Sequence, residues 1–171
     1  YRINLWTKIK PIKQLNMEIN AIQDKSPSHM QWVDILKMTN DTIRVYANSE
    51  LITRDLTLRL DWTFSPKLTM QCYAQPFYAN MDYKSFFRLE KPNTMDLDPY
   101  NYQNINDYEN PDFRLLNIIG TFVLRWEYRS GSTIYLVYNF NQNNEFSFSE
   151  NKWISGKDKA FYFKINYWLK Y

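Results

Sequence analysis

Glycine is scarce in this chain of 171 residues, with three copies, and cysteine and histidine occur once each, as Cys72 and His29. A single cysteine excludes a disulfide within the chain. One cysteine with one histidine also cannot assemble a structural zinc centre of the usual kind. Charge of one sign is missing too. Lys+Arg number 21 against 18 Asp+Glu, a net charge of +3, without the basic surplus of a dedicated nucleic-acid binder. No apolar run reaches about 18 residues, which excludes a transmembrane helix. The opening Tyr1-Arg2-Ile3-Asn4 has neither a charged-then-apolar leader nor a starting methionine. Either a leader has been removed or the chain is a piece of something longer. What is abundant is aromatic: Phe, Trp and Tyr make up 18 %, with polar residues between them. That mixture suits β-structure with extensive apolar-facing surface.

The length fits one domain, and the period is that of strands. From Phe161 the odd positions read Phe161, Phe163, Ile165, Tyr167, Leu169, Tyr171, and the even ones Tyr162, Lys164, Asn166, Trp168, Lys170. Alternate side chains of a strand point to opposite faces, so one face is apolar and the other mostly polar. Leu56, Leu58, Leu60, Trp62 and Phe64 alternate in the same way with Thr57, Arg59, Asp61 and Thr63. So do Leu116 to Tyr128, Ile134 to Phe140, Leu15 to Ala21 and Ile3 to Ile9. Weaker alternation over 68–78, 30–38 and 42–47 brings the expected count to nine strands. No stretch has a helical period of comparable quality, so the expected fold class is all-β, an antiparallel transmembrane β-barrel segment.

Connection length carries the membrane expectation. Short turns fall at Lys10–Lys13, Asn40-Asp41, Ser65–Lys67 and Arg129–Gly131, and longer loops at 24–29, 48–52, 79–113 and 142–159. Short turns at one end and long loops at the other describe an outer-membrane barrel. The loops at 79–113 and 142–159 are then extracellular. The polar face carries Arg2, Lys8, Glu18, Arg44, Arg59, Asp61, Arg125, Glu127 and Lys164. Unpaired charges at mid-strand are costly in a dry core but suit a hydrated lumen. Aromatics at strand ends, including Trp62, Phe64, Trp126, Tyr128 and Tyr167, resemble interfacial girdles. A soluble lipocalin-like barrel with the leucine face inside is the alternative that periodicity leaves open. Nine is an odd count where single-chain barrels have an even one, so either the count errs around residues 30–50 or upstream strands are absent; the missing methionine favours the second, and the chain reads as the C-terminal portion of a larger barrel.

Candidate chemistry is sparse. Arg59, Asp61, Arg125, Glu127 and Lys164 form the expected lumen charge network, a bracing ladder or a selectivity ring. Phe163, Ile165, Tyr167, Leu169 and Tyr171 resemble the terminal signal by which the barrel-assembly machinery recognises its substrates. His29, in the loop Lys25–His29, lacks a positioned nucleophile and orienter. Asp96, Asp98 and Asn101 offer oxygen ligands suited to calcium, though without EF-hand spacing, so a polar loop is the simpler reading. Loop 79–113 is rich in aromatics (Tyr83, Phe86, Phe87, Tyr100, Tyr102, Tyr108) and is expected to form a plug or lid. No catalytic, cofactor-binding or metal site is assigned, and the chain is expected to be no enzyme. The partners expected are outer-membrane lipid and lipopolysaccharide, the assembly machinery, and glycan or other outer-membrane proteins, with no nucleic acid.

The block Leu56–Phe77, Asn110-Pro111-Asp112-Phe113, the string Leu124-Arg125-Trp126-Glu127-Tyr128-Arg129-Ser130-Gly131-Ser132-Thr133 and the ending Tyr167-Trp168-Leu169 together resemble a Bacteroidota-type outer-membrane family known as domain of unknown function 5916. Residues 50–171 carry the likeness, with Ser130 standing where the pattern has proline. The resemblance implies a Gram-negative outer-membrane location. It also implies that the barrel anchors, or forms a channel for, a domain like the family 9 carbohydrate-binding modules outside these residues. The alternative function, independent of the resemblance, is a solute-uptake pore formed by the terminal strands of a larger transporter.

Overall fold

The computed structural model describes residues 1–38, 41–91, 93–94, 96–104 and 109–169. The protein is all-β. Its elements are β1 (Arg2–Ile12), β2 (Leu15–Lys37), β3 (Thr42–Ser65), β4 (Leu68–Leu89), the short β5 (Leu97–Pro99), a 3-10 turn (Tyr102–Asn104), β6 (Phe113–Arg129), β7 (Ser132–Ser147) and β8 (Lys152–Asn166). The long strands pair antiparallel in the order β1-β2-β3-β4-β6-β7-β8, with β5 added beside β4. Among the described residues the nine expected strands become eight, seven of them long. The sheet is open there, with β1 and β8 at its edges and no pairing between them.

The miscount has a physical source. Stretches 24–29 and 48–52 are not loops; each lies inside a continuous strand. In β3 the apolar residues are even-numbered from Leu56 to Phe64 but odd-numbered at Ile43, Val45 and Ala47, although β3 carries no extra residue between Ala47 and Leu56 in either ladder. The apolar side changes face partway up the strand, and a pattern reader takes the phase change for a break. Extra residues on β2, between Ser28 and Gln31 and between Trp32 and Asp34, blur that strand as well. Likewise β4 runs on to Leu89 and β7 to Ser147, leaving connections at 90–112 and 148–151.

With the strands joined correctly, the turns at 13–14, 66–67 and 130–131 lie at one end and the connections at 38–41, 90–112 and 148–151 at the other. The Asn40-Asp41 turn therefore belongs with the longer connections; Asn40 lies outside the described residues. Gly131 has φ of 76°, a left-handed conformation that glycine adopts without steric cost and that tight hairpins require.

Rows of paired residues cross the whole sheet. One runs Ile9, Met17, Leu60, Cys72, Phe122, Tyr138, Phe161. On the opposite face the neighbouring row runs Lys8, Glu18, Arg59, Tyr73, Thr121, Asn139, Ala160. Nothing among the described residues covers the first face: Leu58 is 38 % exposed, Phe163 57 % and Phe161 66 %. The buried core lies elsewhere, at the long-connection end. There Val45, Ala47, Phe86 and Tyr102 pack together with Val33, Leu36, Ile43, Tyr83 and Tyr100 beside them.

Candidate functional site

The polar face collects the residues that chemistry singles out. Strand alternation places Arg59 and Asp61 on β3, Arg125 and Glu127 on β6, and Lys164 on β8 on this one side. The register brings Thr69, Arg125, Tyr135 and Lys164 into one row, while Arg59 sits four residues further along. The five form no continuous ladder. Arg125 pairs with Glu127 at 3.3 Å, and Glu127 also accepts from the Gly131 amide. Arg59 lies 5.4 Å from the centre of the Tyr73 ring and Lys164 6.0 Å from that of Tyr135, distances at which a cation is held by the ring's negative face. Asp61 accepts from the Gln71 amide at 2.9 Å. Further up, Asp55 takes hydrogen bonds from Thr57 and Gln75, and Trp6 donates to Glu18 at 3.1 Å.

Composition did not reveal the amides. The side-chain oxygens of Asn20, Asn117, Asn139 and Asn141 are shielded yet have no hydrogen-bond partner among the described residues, and register puts all four on the polar face. Shielded polar atoms are ordinarily paired with protein or water, so this face calls for water or a polar partner. The run Asn139, Asn141, Asn143 at every second position was the sequence signal. Beside it a recess of ≈ 700 Å³ is lined by Phe113, Leu115, Asn117, Asn143, Glu145 and Gly156 among others.

The connection after β4 folds onto the same face. Val45, Ala47 and Ser49 share the polar-side parity of Arg59. Tyr102 packs on Phe86 (ring centres 5.1 Å apart) and donates to the Asp34 carboxylate at 3.0 Å. Tyr100 donates its backbone amide to Phe86, and the Tyr83 amide donates to Asp112 at 2.7 Å. Burial raises the Tyr83 phenol above its ordinary pKa, and the nearby Asp112 charge adds to this. Asp98 lies 3.5 Å from the Arg88 guanidinium and pairs with Arg88 in the ladder, so its carboxylate faces a cation. Of the aromatics noted in this connection, Tyr108 lies outside the described residues.

His29 is exposed within β2, where the extra residues interrupt pairing with β3, and not in a loop. Phe163 and Ile165 stand on the apolar side of β8, Leu169 is exposed, and Tyr167 accepts from Arg129 at 2.7 Å. Tyr171 is outside the described residues. Aromatics gather where the apolar face meets the two-residue turns: Trp62 stacks on Phe64 and Trp126 meets Tyr128 edge-on.

The family model described as "Domain of unknown function (DUF5916)" matches residues 1–171, the whole chain. The chain belongs to this family. No curated protein and no solved structure matches it. The match thus takes in residues 1–50, beyond the 50–171 over which the quoted motifs carry the likeness.

Proposed function

We propose that the chain is the membrane-spanning part of an outer-membrane β-barrel. Its leucine face meets lipid, its amide and charged face lines a hydrated interior, and the 90–112 connection folds inward over the outer mouth. The observation that carries this reading is the uncovered apolar face: a row from Ile9 to Phe161 crosses every long strand, and Leu58, Trp126, Phe161 and Phe163 on that side lie open. A water-soluble sheet has to cover such a face with a core of its own, whereas lipid leaves it bare of protein.

Strand lengths agree. β2, β3 and β4 have 23, 24 and 22 residues, about 75 Å of strand, which exceeds a hydrocarbon layer about 30 Å thick even when tilted. Their upper parts form a tongue outside the bilayer, and the small buried core sits there. The role is non-enzymatic: an anchor, or a channel, for a carbohydrate-binding-like domain outside these residues, as the family resemblance suggests. The unpartnered amides along the interior favour a second reading, a pore for polar solutes.

Variants of the full-length protein retaining one tryptophan, in vesicles of brominated phosphatidylcholine, test the faces. Trp62 and Trp126 are expected to be strongly quenched and Trp6, bonded to Glu18 on the polar face, left bright. Quenching of Trp6 with sparing of the other two overturns the reading. Conductance in planar bilayers separates pore from anchor.

A further inference from the structure

The upper rim of the apolar band is basic. Past the last apolar side chain, the next outward positions are Gln23 on β2, Arg54 on β3, Asn80 on β4, Arg114 on β6, Gln142 on β7, and Lys159 followed by Lys157 on β8. None is a carboxylate. The two guanidiniums are held by neutral partners. Arg54 donates to Gln23 at 3.2 Å and lies 6.0 Å from the Tyr78 ring. Arg114 donates to Asn80 at 2.7 Å and lies over Phe146 and Phe148. Lys157 and Lys159 are exposed and meet no carboxylate among the described residues. Acids on this side begin one row above Asn80, where Glu50 is engaged by Lys25 and Lys84 and Asp82 accepts from the Asn80 amide at 2.7 Å. Directly below Arg54 and Gln23, a groove of ≈ 470 Å³ opens on the outward face, walled by Leu5, Leu56, Pro76 and Leu116.

We infer that this rim binds the phosphate groups of an anionic glycolipid, with an acyl chain in the groove beneath Arg54. The inference rests on the membrane reading above. Guanidinium matches phosphate with paired, charge-assisted hydrogen bonds. Cations arrayed along the rim require a headgroup of net negative charge. A zwitterionic phospholipid brings its own ammonium and cancels most of the attraction, whereas a bisphosphorylated sugar headed by several acyl chains meets both the charge and the groove. Lys25 and Lys84, tied to Glu50, contribute little.

The test uses full-length protein in phosphatidylcholine vesicles, alone, with bisphosphoryl lipid A, or with lipid A stripped of its phosphates. The midpoint of thermal unfolding is expected to rise with bisphosphoryl lipid A only, and inorganic phosphate at equal concentration to give no shift. The variant R54Q/R114Q/K157Q/K159Q is expected to insert normally into plain phosphatidylcholine but to need about tenfold more lipid A or beyond for the same rise, each surface cation adding to attraction. An equal response of this variant, or of the wild type to dephosphorylated lipid A, overturns the inference. Should the variant not fold, the wild-type rise decides: it shrinks between about 0.05 and 1 M salt if phosphate contacts carry it, and a salt-indifferent rise overturns the inference. Failure to enter plain phosphatidylcholine at all strikes the membrane reading itself, an outcome the lipid A comparison cannot produce.

Discussion

Leu60 and Thr57 stand three residues apart on β3 and on opposite faces, Leu60 between Met17 and Cys72 in the apolar row. On the membrane reading proposed above, arginine at Leu60 would place a cation at mid-bilayer and is expected to cost about 2–4 kcal/mol, while Thr57→Arg costs well under half of that. Denaturation midpoints in vesicles measure both, and equal losses contradict the assignment of faces. Gly120 tests packing on the same apolar side. A Cβ built there would overlap the Phe140 ring, which lies across the glycine in the neighbouring strand. Gly120→Val therefore has to displace the ring and is expected to destabilise by about 1–3 kcal/mol, with Phe140→Ala in the same background recovering part of the loss. Above the band, the hydrogen bond from Lys25 and then its charge hold the Glu50 carboxyl below its ordinary value of 4.5. A lowered carboxyl pKa stabilises the folded state above that ordinary value, and the gain disappears as pH falls through the lowered one. Melting midpoints followed downward from pH 5 are expected to drop less in Glu50→Gln than in the wild type.

Among the elements, the connection between β4 and β6 depends on Tyr102. Its ring fills the small core with Phe86, and its hydroxyl reaches across to Asp34 on β2. Tyr102→Phe keeps the packing and loses one hydrogen bond to a carboxylate, about 1–2 kcal/mol. Tyr102→Ala loses the packing too, about 3 kcal/mol or more, and is expected to expose 90–112 to limited proteolysis at a rate that Tyr102→Phe does not approach. Strand identity was legible in the sequence wherever one face keeps one solvent along the whole strand: β6, β7, β8 and the lower part of β3 alternate cleanly. It was illegible where the surroundings change. Above Arg54 the two faces of β3 exchange roles, with Val45 and Ala47 now burying against Phe86 and Tyr102 on what was the charged side below, and a strand of 24 residues read as two. The charge network had the same limit. Alternation put Arg59, Asp61, Arg125, Glu127 and Lys164 on one face, but the tyrosine rings that hold Arg59 and Lys164 are cross-strand neighbours, visible only once register is known.

For the whole molecule, the uncovered apolar face decides behaviour. A face bearing Leu58, Trp126, Phe161 and Phe163 in the open exceeds the apolar patches that water-soluble monomers tolerate. The full-length protein is expected to stay with the membrane fraction through an alkaline carbonate wash and to leave it with detergent; release by carbonate alone contradicts integral insertion. The alternating meander sets one further condition. Both β1 and β8 run toward the end bearing the two-residue turns, so joining these edges to one another would make the sole parallel seam in the structure. Keeping every pair antiparallel takes an odd number of additional strands between them, and the parity of any complete ring is thereby even.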